Sequence, residues 1–178
     1  MLGPDGSGKS TIVKVLKEQL NFELCYLGYG ANRNYYFSNL LNKLGSDIFS
    51  RIIYRTIVTF DDFFKGFSYI TFSKTGTIID RYPCDNIVNT ILDSRKSVKF
   101  HKLLFHFYPK PDIFILLVGD PNVLYERKKE ISALRIEKYI ETYKKVLNTY
   151  NVKYVEVDTT KLSVGECKNL ITEKLNEI

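Results

Sequence analysis

The chain has 178 residues, 44% hydrophobic and 26% charged, with a net charge of +6. That balance excludes disordered and fibrous classes and fits a single domain, residues 1–178, able to bury a sizeable core. Its longest apolar run lies around Ile113 to Val118, far short of the ~20 residues that span a bilayer. Lys9 and Lys14 interrupt any candidate leader sequence, so no membrane partner and a cytoplasmic location are expected. Cys25, Cys84 and Cys167 are too scattered for a disulfide framework or a zinc site and are read as reduced thiols in or near the core. Lysine and arginine form no basic block. The positive charge therefore calls for no nucleic acid, since a phosphorylated small molecule or a lysine-rich composition accounts for it.

The first feature in chain order is Gly3-Pro4-Asp5-Gly6-Ser7-Gly8-Lys9-Ser10-Thr11, which fits the pattern GxxxxGK[ST]. Glycines there let consecutive backbone N–H groups turn toward phosphate oxygens, the lysine meets the β and γ phosphates, and the hydroxyl serves magnesium. Gly3, Asp5, Gly6, Ser7, Gly8, Lys9, Ser10 and Thr11 are thus the candidate nucleotide-binding residues, with ATP and Mg2+ as the expected cofactors. Ile12, Val13, Leu16 and Leu20 follow at helical spacing, so the loop opens a helix whose positive dipole end joins the same anion site. Such a loop hangs from a central strand of about five residues, whereas only Met1 and Leu2 precede Gly3. Two expectations follow: either the coding start lies further upstream, or the chain is short and its sheet and nucleotide affinity are compromised.

Strand-length apolar stretches at Phe22 to Leu27, Thr77 to Asp80, Ile113 to Val118 and Tyr154 to Val157 alternate with helix-length segments. This predicts an α/β fold, a parallel sheet with helices on both faces, its first and central strand largely missing. Between the first two strands, Leu40, Leu41, Leu44, Phe49, Ile52, Ile53 and Ile57 predict two helices broken near Gly45. Val98 to Phe107 reads as a helix ending before Pro109, and His101 and His106, five residues apart, share no face and are read as structural. Asp120-Pro121 marks one helix start, and Ser163-x-x-Glu166, with Leu162 and Cys167 as a staple, marks another. The thirteen tyrosines and twelve phenylalanines are read as core and pocket wall rather than a base-stacking platform.

Further motifs are Asp80-Arg81-Tyr82 at the end of a strand, Pro111-Asp112 leading a strand that ends at Asp120-Pro121, and Arg127-Lys128-Lys129-Glu130. Together with the loop at 3–11, these resemble the thymidylate kinase family of P-loop nucleotide kinases over most of the chain, closest to its loosely assigned thymidylate-kinase-like members. The resemblance implies a nucleoside-monophosphate-kinase-like fold, phosphoryl transfer from ATP, and a homodimer. It implies that Asp80 acts through magnesium's water shell, making Ser10 and Asp80 the metal candidates, and that Arg81 grips the transferred or acceptor phosphate. Arg127 would come from a lid near 125–135, giving Lys9, Asp80, Arg81 and Arg127 as the catalytic set. Asp5 would lie near the acceptor sugar, and Asp158-Thr159-Thr160 would pass beside the adenine as loop or cap residues. Independently of the family, a carboxylate and a guanidinium at the carboxyl end of an apolar strand stand where open α/β sheets bind ligands.

The departures concern the acceptor. Asp85, Val88, Asn89 and Thr90 stand where relatives carry Ser, Ala, Tyr and Gln, and Gly28-Tyr29-Gly30-Ala31-Asn32-Arg33 replaces an Arg-Glu-Pro-Gly-Gly-Thr segment. Arg33, Arg51 and Arg55 are candidates for the acceptor pocket, with a surface position as the alternative. The expected function is ATP-dependent phosphoryl transfer to a small phosphate- or hydroxyl-bearing acceptor, a nucleoside monophosphate first. A kinase fold that binds nucleotide or a protein partner without turnover is the alternative. A P-loop ATPase or GTPase switch is disfavoured, because no separate magnesium carboxylate and no Asn-Lys-x-Asp is found.

Overall fold

Glycines with positive φ at Gly3, Gly6 and Gly8 make the loop that opens the first helix, α1 (Lys9–Leu20), and the chain then alternates strands with helices. The computed structural model describes residues 1–27 and 48–178. After α1 come β1 (Glu23–Tyr26), α2 (Ile48–Phe72), β2 (Thr77–Asp80), α3 (Pro83–Leu92) and α4 (Val98–Phe107). The second half holds β3 (Phe114–Val118), α5 (Pro121–Arg127), α6 (Ala133–Thr149), β4 (Tyr154–Asp158) and α7 (Val164–Asn176). No helix of the described residues is long and apolar enough to cross a membrane.

β1 pairs in parallel with β2, Glu23 opposite Thr77, and β3 pairs in parallel with β4, Phe114 opposite Tyr154. Met1 and Leu2 join the two pairs. The Leu2 amide donates to Ile115 O at 2.8 Å, the Leu117 amide donates to Leu2 O at 2.9 Å, and the Met1 ammonium donates to Ile79 O at 2.7 Å. The spatial order is therefore β1, β2, Met1–Leu2, β3, β4, and the loop leaves the centre of the sheet. Beyond Met1, β2 and β3 flank an apolar cavity of about 300 Å³ lined by Met1, Phe22, Ile79 and Ile115 among others.

Strand alternation divides the core between two helical layers. Ile78, Ile115, Leu117 and Val157 pack with Ile12, Val13 and Leu16 of α1 and Cys167 and Ile171 of α7. Leu2, Ile79 and Leu116 pack on the other face with residues of α3, α4 and α6, among them Ile87, Phe105 and Leu147. All three cysteines are buried, and burial pushes the Cys84 thiol well above its ordinary value.

The expected caps form. Asp120 Oδ1 accepts from Asn122 N at 2.8 Å, and Ser163 and Glu166 bond reciprocally across the start of α7, with Cys167 Sγ donating to Leu162 O. From Ile48 onward one continuous helix runs to Phe72, and the break expected near Gly45 lies outside the described residues. The aromatic reading needs correction. Phe49, Phe60, Phe64, Phe67, Phe72, Phe100 and Phe107 are exposed, whereas Asp61 and Asp62 are buried. Helix α2 turns Asp61, Asp62 and Phe63 inward and most of its other rings outward, so ring count alone misassigned the exposed side chains to the core.

Candidate active site

The loop's conformation follows from which residues tolerate it. Gly6 has φ 81°, and a Cβ there would stand 2.3 Å from the carbonyl oxygen of Leu124 in α5, so the loop is pressed against that helix. We expect Gly6→Ala to cost roughly 1–2 kcal/mol for the left-handed backbone alone and to weaken Mg-ATP binding by displacing the loop from α5. Paired thermal melts and titrations check this, and unchanged affinity would contradict it.

Ser7 is fully buried and donates from its hydroxyl to Pro4 O at 2.8 Å. Lys9 Nζ donates to Gly3 O and Pro4 O, both at 2.7 Å. Burial lowers the Lys9 pKa, opposed by the charges of Asp85, Asp5 and Asp80. The Lys9 ammonium is thus a partly desolvated cation, whose attraction for an anion is stronger than the same charge in water would exert.

Above the loop lies a cavity of about 590 Å³ lined by Asp5, Gly6, Gly8, Lys9, Ser10, Thr11, Tyr26, Asp80, Arg81, Arg127 and Lys128. Most of the residues singled out in the sequence thereby share one chamber. Gly3 and Ser7 are not among its lining residues and support the loop from behind. Asp80 ends β2, and Arg81 follows with φ 65°, a left-handed conformation in a side chain other than glycine and a form of strain concentrated at functional sites. Arg81 also lines a second, smaller cavity of about 120 Å³, together with Leu27, Asp62, Tyr82, Pro83, Asp85, Asn86 and Asn89.

Arg127 is held from the far side. Its Nη1 donates to Thr159 Oγ1 at 3.1 Å and its Nη2 to Thr159 O at 2.8 Å. Lys128 leans toward the loop, 3.8 Å from Asp5, and Lys129 pairs with Glu126 on the exposed surface. The lid expected near 125–135 corresponds to the end of α5, a connection over 128–132, and the start of α6. Asp158 accepts at Oδ1 from Thr160 N, Thr160 Oγ1 and Lys161 N at 2.9, 2.6 and 3.2 Å, the cap role expected for it.

The acceptor-side residues divide. Asp85 accepts from Tyr82 N at 2.7 Å and from the Tyr143 hydroxyl, so both its oxygens are engaged in fixing the start of α3. Val88 and Thr90 are buried. Asn89 accepts from the Tyr139 hydroxyl at 2.7 Å and lines the smaller cavity. Arg33 lies outside the described residues, and Arg51 and Arg55 fall within α2, their side chains outside what is described.

No protein-family model and no curated protein matches the chain. Solved structures do. The deoxyadenosine kinase of M. mycoides with bound dCTP aligns at a TM-score of 0.64 and 23% identity, over 99% of this chain and 97% of that one. The thymidylate kinase of Candida albicans aligns at 0.71 and 18% identity, over 99% and 89%. That of Ehrlichia chaffeensis aligns at 0.64 and 19% identity, over 98% and 95%. The chain has a thymidylate-kinase-like nucleotide kinase fold.

Within this kinase fold, sequence reasoning missed two contributors to the chamber and ranked a third, Lys128, below Arg127. Tyr26 closes it from the end of β1. Lys128, read as secondary to Arg127, lines it too. Thr159, read only as a loop residue, holds the Arg127 guanidinium. A strand end facing a glycine loop is a signal that could have found Tyr26, but the contact of Thr159 with Arg127 joins residues far apart in the chain and has no local signature.

Proposed function

We propose that the chain is a kinase, a single domain that transfers a phosphoryl group from Mg-ATP to a small nucleoside-type acceptor, with a nucleoside monophosphate as the first candidate. The observation that carries this reading is the one chamber shared by Lys9, Ser10, Asp80, Arg81, Arg127 and Lys128. Its volume lies within the range of small-molecule sites, and its cations suit a triphosphate, whose transfer depends on alignment and charge stabilisation more than on covalent chemistry.

In this reading the backbone of Gly6, Ser7 and Gly8 cradles the phosphates. Lys9 leaves the carbonyls of Gly3 and Pro4 to meet the β and γ groups, and the start of α1 adds its dipole. Arg81, which lines both cavities, neutralises charge where donor and acceptor meet. Arg127 and Lys128 close the nucleotide side. Ser10 and Asp80 supply hard oxygen donors in the same chamber, a set that fits magnesium held chiefly by phosphates and water. When bound, that ion supplies charge neutralisation on the phosphate oxygens.

The acceptor class sets what Asp80 must do. A monophosphate, with a second pKa of about 6, is already largely ionised near neutral pH and needs no strong base. A sugar hydroxyl must lose its proton, and of the chamber's two lining carboxylates, Asp5 and Asp80, Asp5 faces Lys128 at 3.8 Å, which leaves Asp80 for that role; both oxygens of Asp85 are occupied. We expect Asp80→Asn to depress transfer to a hydroxyl roughly 10²-fold more than transfer to a phosphate. Side-by-side kcat/KM values for deoxynucleosides and nucleoside monophosphates test this, and equal losses would remove the distinction.

A further inference from the structure

Helix α5 is tied at both ends to one turn, Asp158-Thr159-Thr160. At its start, Asp120 N donates to Thr160 Oγ1 at 3.0 Å, and the Thr160 hydroxyl donates in turn to Asp158 Oδ1 at 2.6 Å. Its last residue is Arg127, whose guanidinium bonds twice to Thr159. These three turn residues are not among those that line the chamber, so what they contribute to it passes through α5. That helix spans only seven residues, too short to hold itself rigid, yet it bears on the glycine loop twice. Leu124 O stands against Gly6, and Lys128, just past its end, lies 3.8 Å from Asp5.

Within the turn, Thr159 carries the contact with a charged group. It is 8% exposed and seated at the ends of β3 and β4: its amide donates to Val118 O at 3.0 Å and its hydroxyl to the same oxygen at 3.4 Å. A hydroxyl donates and accepts at once, and this one accepts from Arg127 Nη1 at 3.1 Å while the Thr159 carbonyl accepts from Nη2 at 2.8 Å. Two parallel contacts on one residue fix both the position and the plane of a planar fork. An arginine ordered in this way loses less freedom when an anion binds.

We propose that Thr159 is a positioning residue for the nucleotide: it acts through Arg127, holding the guanidinium at the edge of the chamber. This rests on the nucleotide reading of that chamber. The ligand served is the triphosphate donor rather than the acceptor, because Arg127 lines the larger cavity with the loop and is absent from the lining of the smaller one beside Asn86 and Asn89. Thr159→Val keeps the side chain's shape and removes the hydroxyl. Val118 O keeps the amide of residue 159 and Nη2 keeps its carbonyl, so no main-chain group is stranded and the fold should persist.

A double-mutant cycle read by calorimetric titration of Mg-ATP, with a thermal melt of each variant, tests the role. Thr159→Val should raise the dissociation constant roughly tenfold, and Thr159→Ser, which retains the hydroxyl, should stay within about twofold of wild type. In an Arg127→Ala background, Thr159→Val should add nothing. Thr159→Ala repeats the test should valine lower the melting temperature. An unchanged constant in Thr159→Val, a serine variant as weak as the valine one, or the same loss with and without Arg127 would each overturn the positioning role while leaving the nucleotide reading intact. A folded wild type that does not bind Mg-ATP would instead overturn that reading, and this role with it.

Discussion

Lys9→Ala is expected to abolish measurable Mg-ATP binding and to lower the proposed turnover roughly 10³-fold while leaving the fold intact. The Lys9 ammonium is a partly buried cation of the chamber, fixed by two carbonyls of its own loop at 2.7 Å. Its desolvation, which lowers its pKa, sharpens its attraction for phosphate in the same low-dielectric setting. Removing it takes away the point charge at the phosphates and also the contacts that hold the loop's carbonyls. The loop itself is held independently by the Ser7 hydroxyl on Pro4 O and by Gly6 against Leu124, so the variant should melt near the wild-type temperature. Isothermal titration and the melting temperature together check this. Retained binding in a folded variant would mean that the loop amides suffice.

Asp85→Ala is expected to destabilise the protein by about 3–5 kcal/mol, a large share of the roughly 5–15 kcal/mol available to a domain. Asp85 is 9% exposed and accepts two hydrogen bonds, from Tyr82 N and the Tyr143 hydroxyl. Alanine strands a backbone donor at the start of α3, the capping contact itself, and a phenol on α6, each costing on the order of 1–3 kcal/mol. Burial holds the Tyr143 hydroxyl well above its ordinary pKa, with the Asp85 charge next in weight, so no ionised phenolate compensates. Urea denaturation gives the difference directly. A change within 0.5 kcal/mol, the range of ordinary surface substitutions, would show that the pair carries little weight.

What was legible in the sequence was local. β2 spans Thr77–Asp80 as its apolar pattern predicts, because a buried parallel strand is a short β-branched run ended by a polar residue. Asp120 and Ser163 cap the helices they precede, since a cap is chemistry among neighbours. The loop residues gather at one chamber for the same reason: the motif encodes a turn and a helix start together.

What the sequence hid depends on tertiary contact. Phe60, Phe64 and Phe67 of α2 read as core and are exposed, while Asp61 and Asp62 beside them are buried. A helix with rings on one side and charges on the other gives the same periodicity whichever way it is turned, and only the packing of Thr59 and Asp62 toward α4 fixes the sense. Asp85 read only as a departure on the acceptor side, and its bond to Tyr143, 58 positions away, had no local signature. The two residues before the loop gave no hint that they would bridge β2 and β3, which takes hydrogen bonds to Ile79, Ile115 and Leu117 at once.

The most direct test of the central claim follows the γ-phosphoryl group. The protein is incubated with γ-labelled Mg-ATP and a panel of nucleosides and nucleoside monophosphates, and the label is traced. The account predicts label on a nucleoside-type acceptor, monophosphates first, with equimolar ADP and with both lost in Lys9→Ala. Label released only as inorganic phosphate, or label that stays on ATP while the nucleotide is bound, would contradict it.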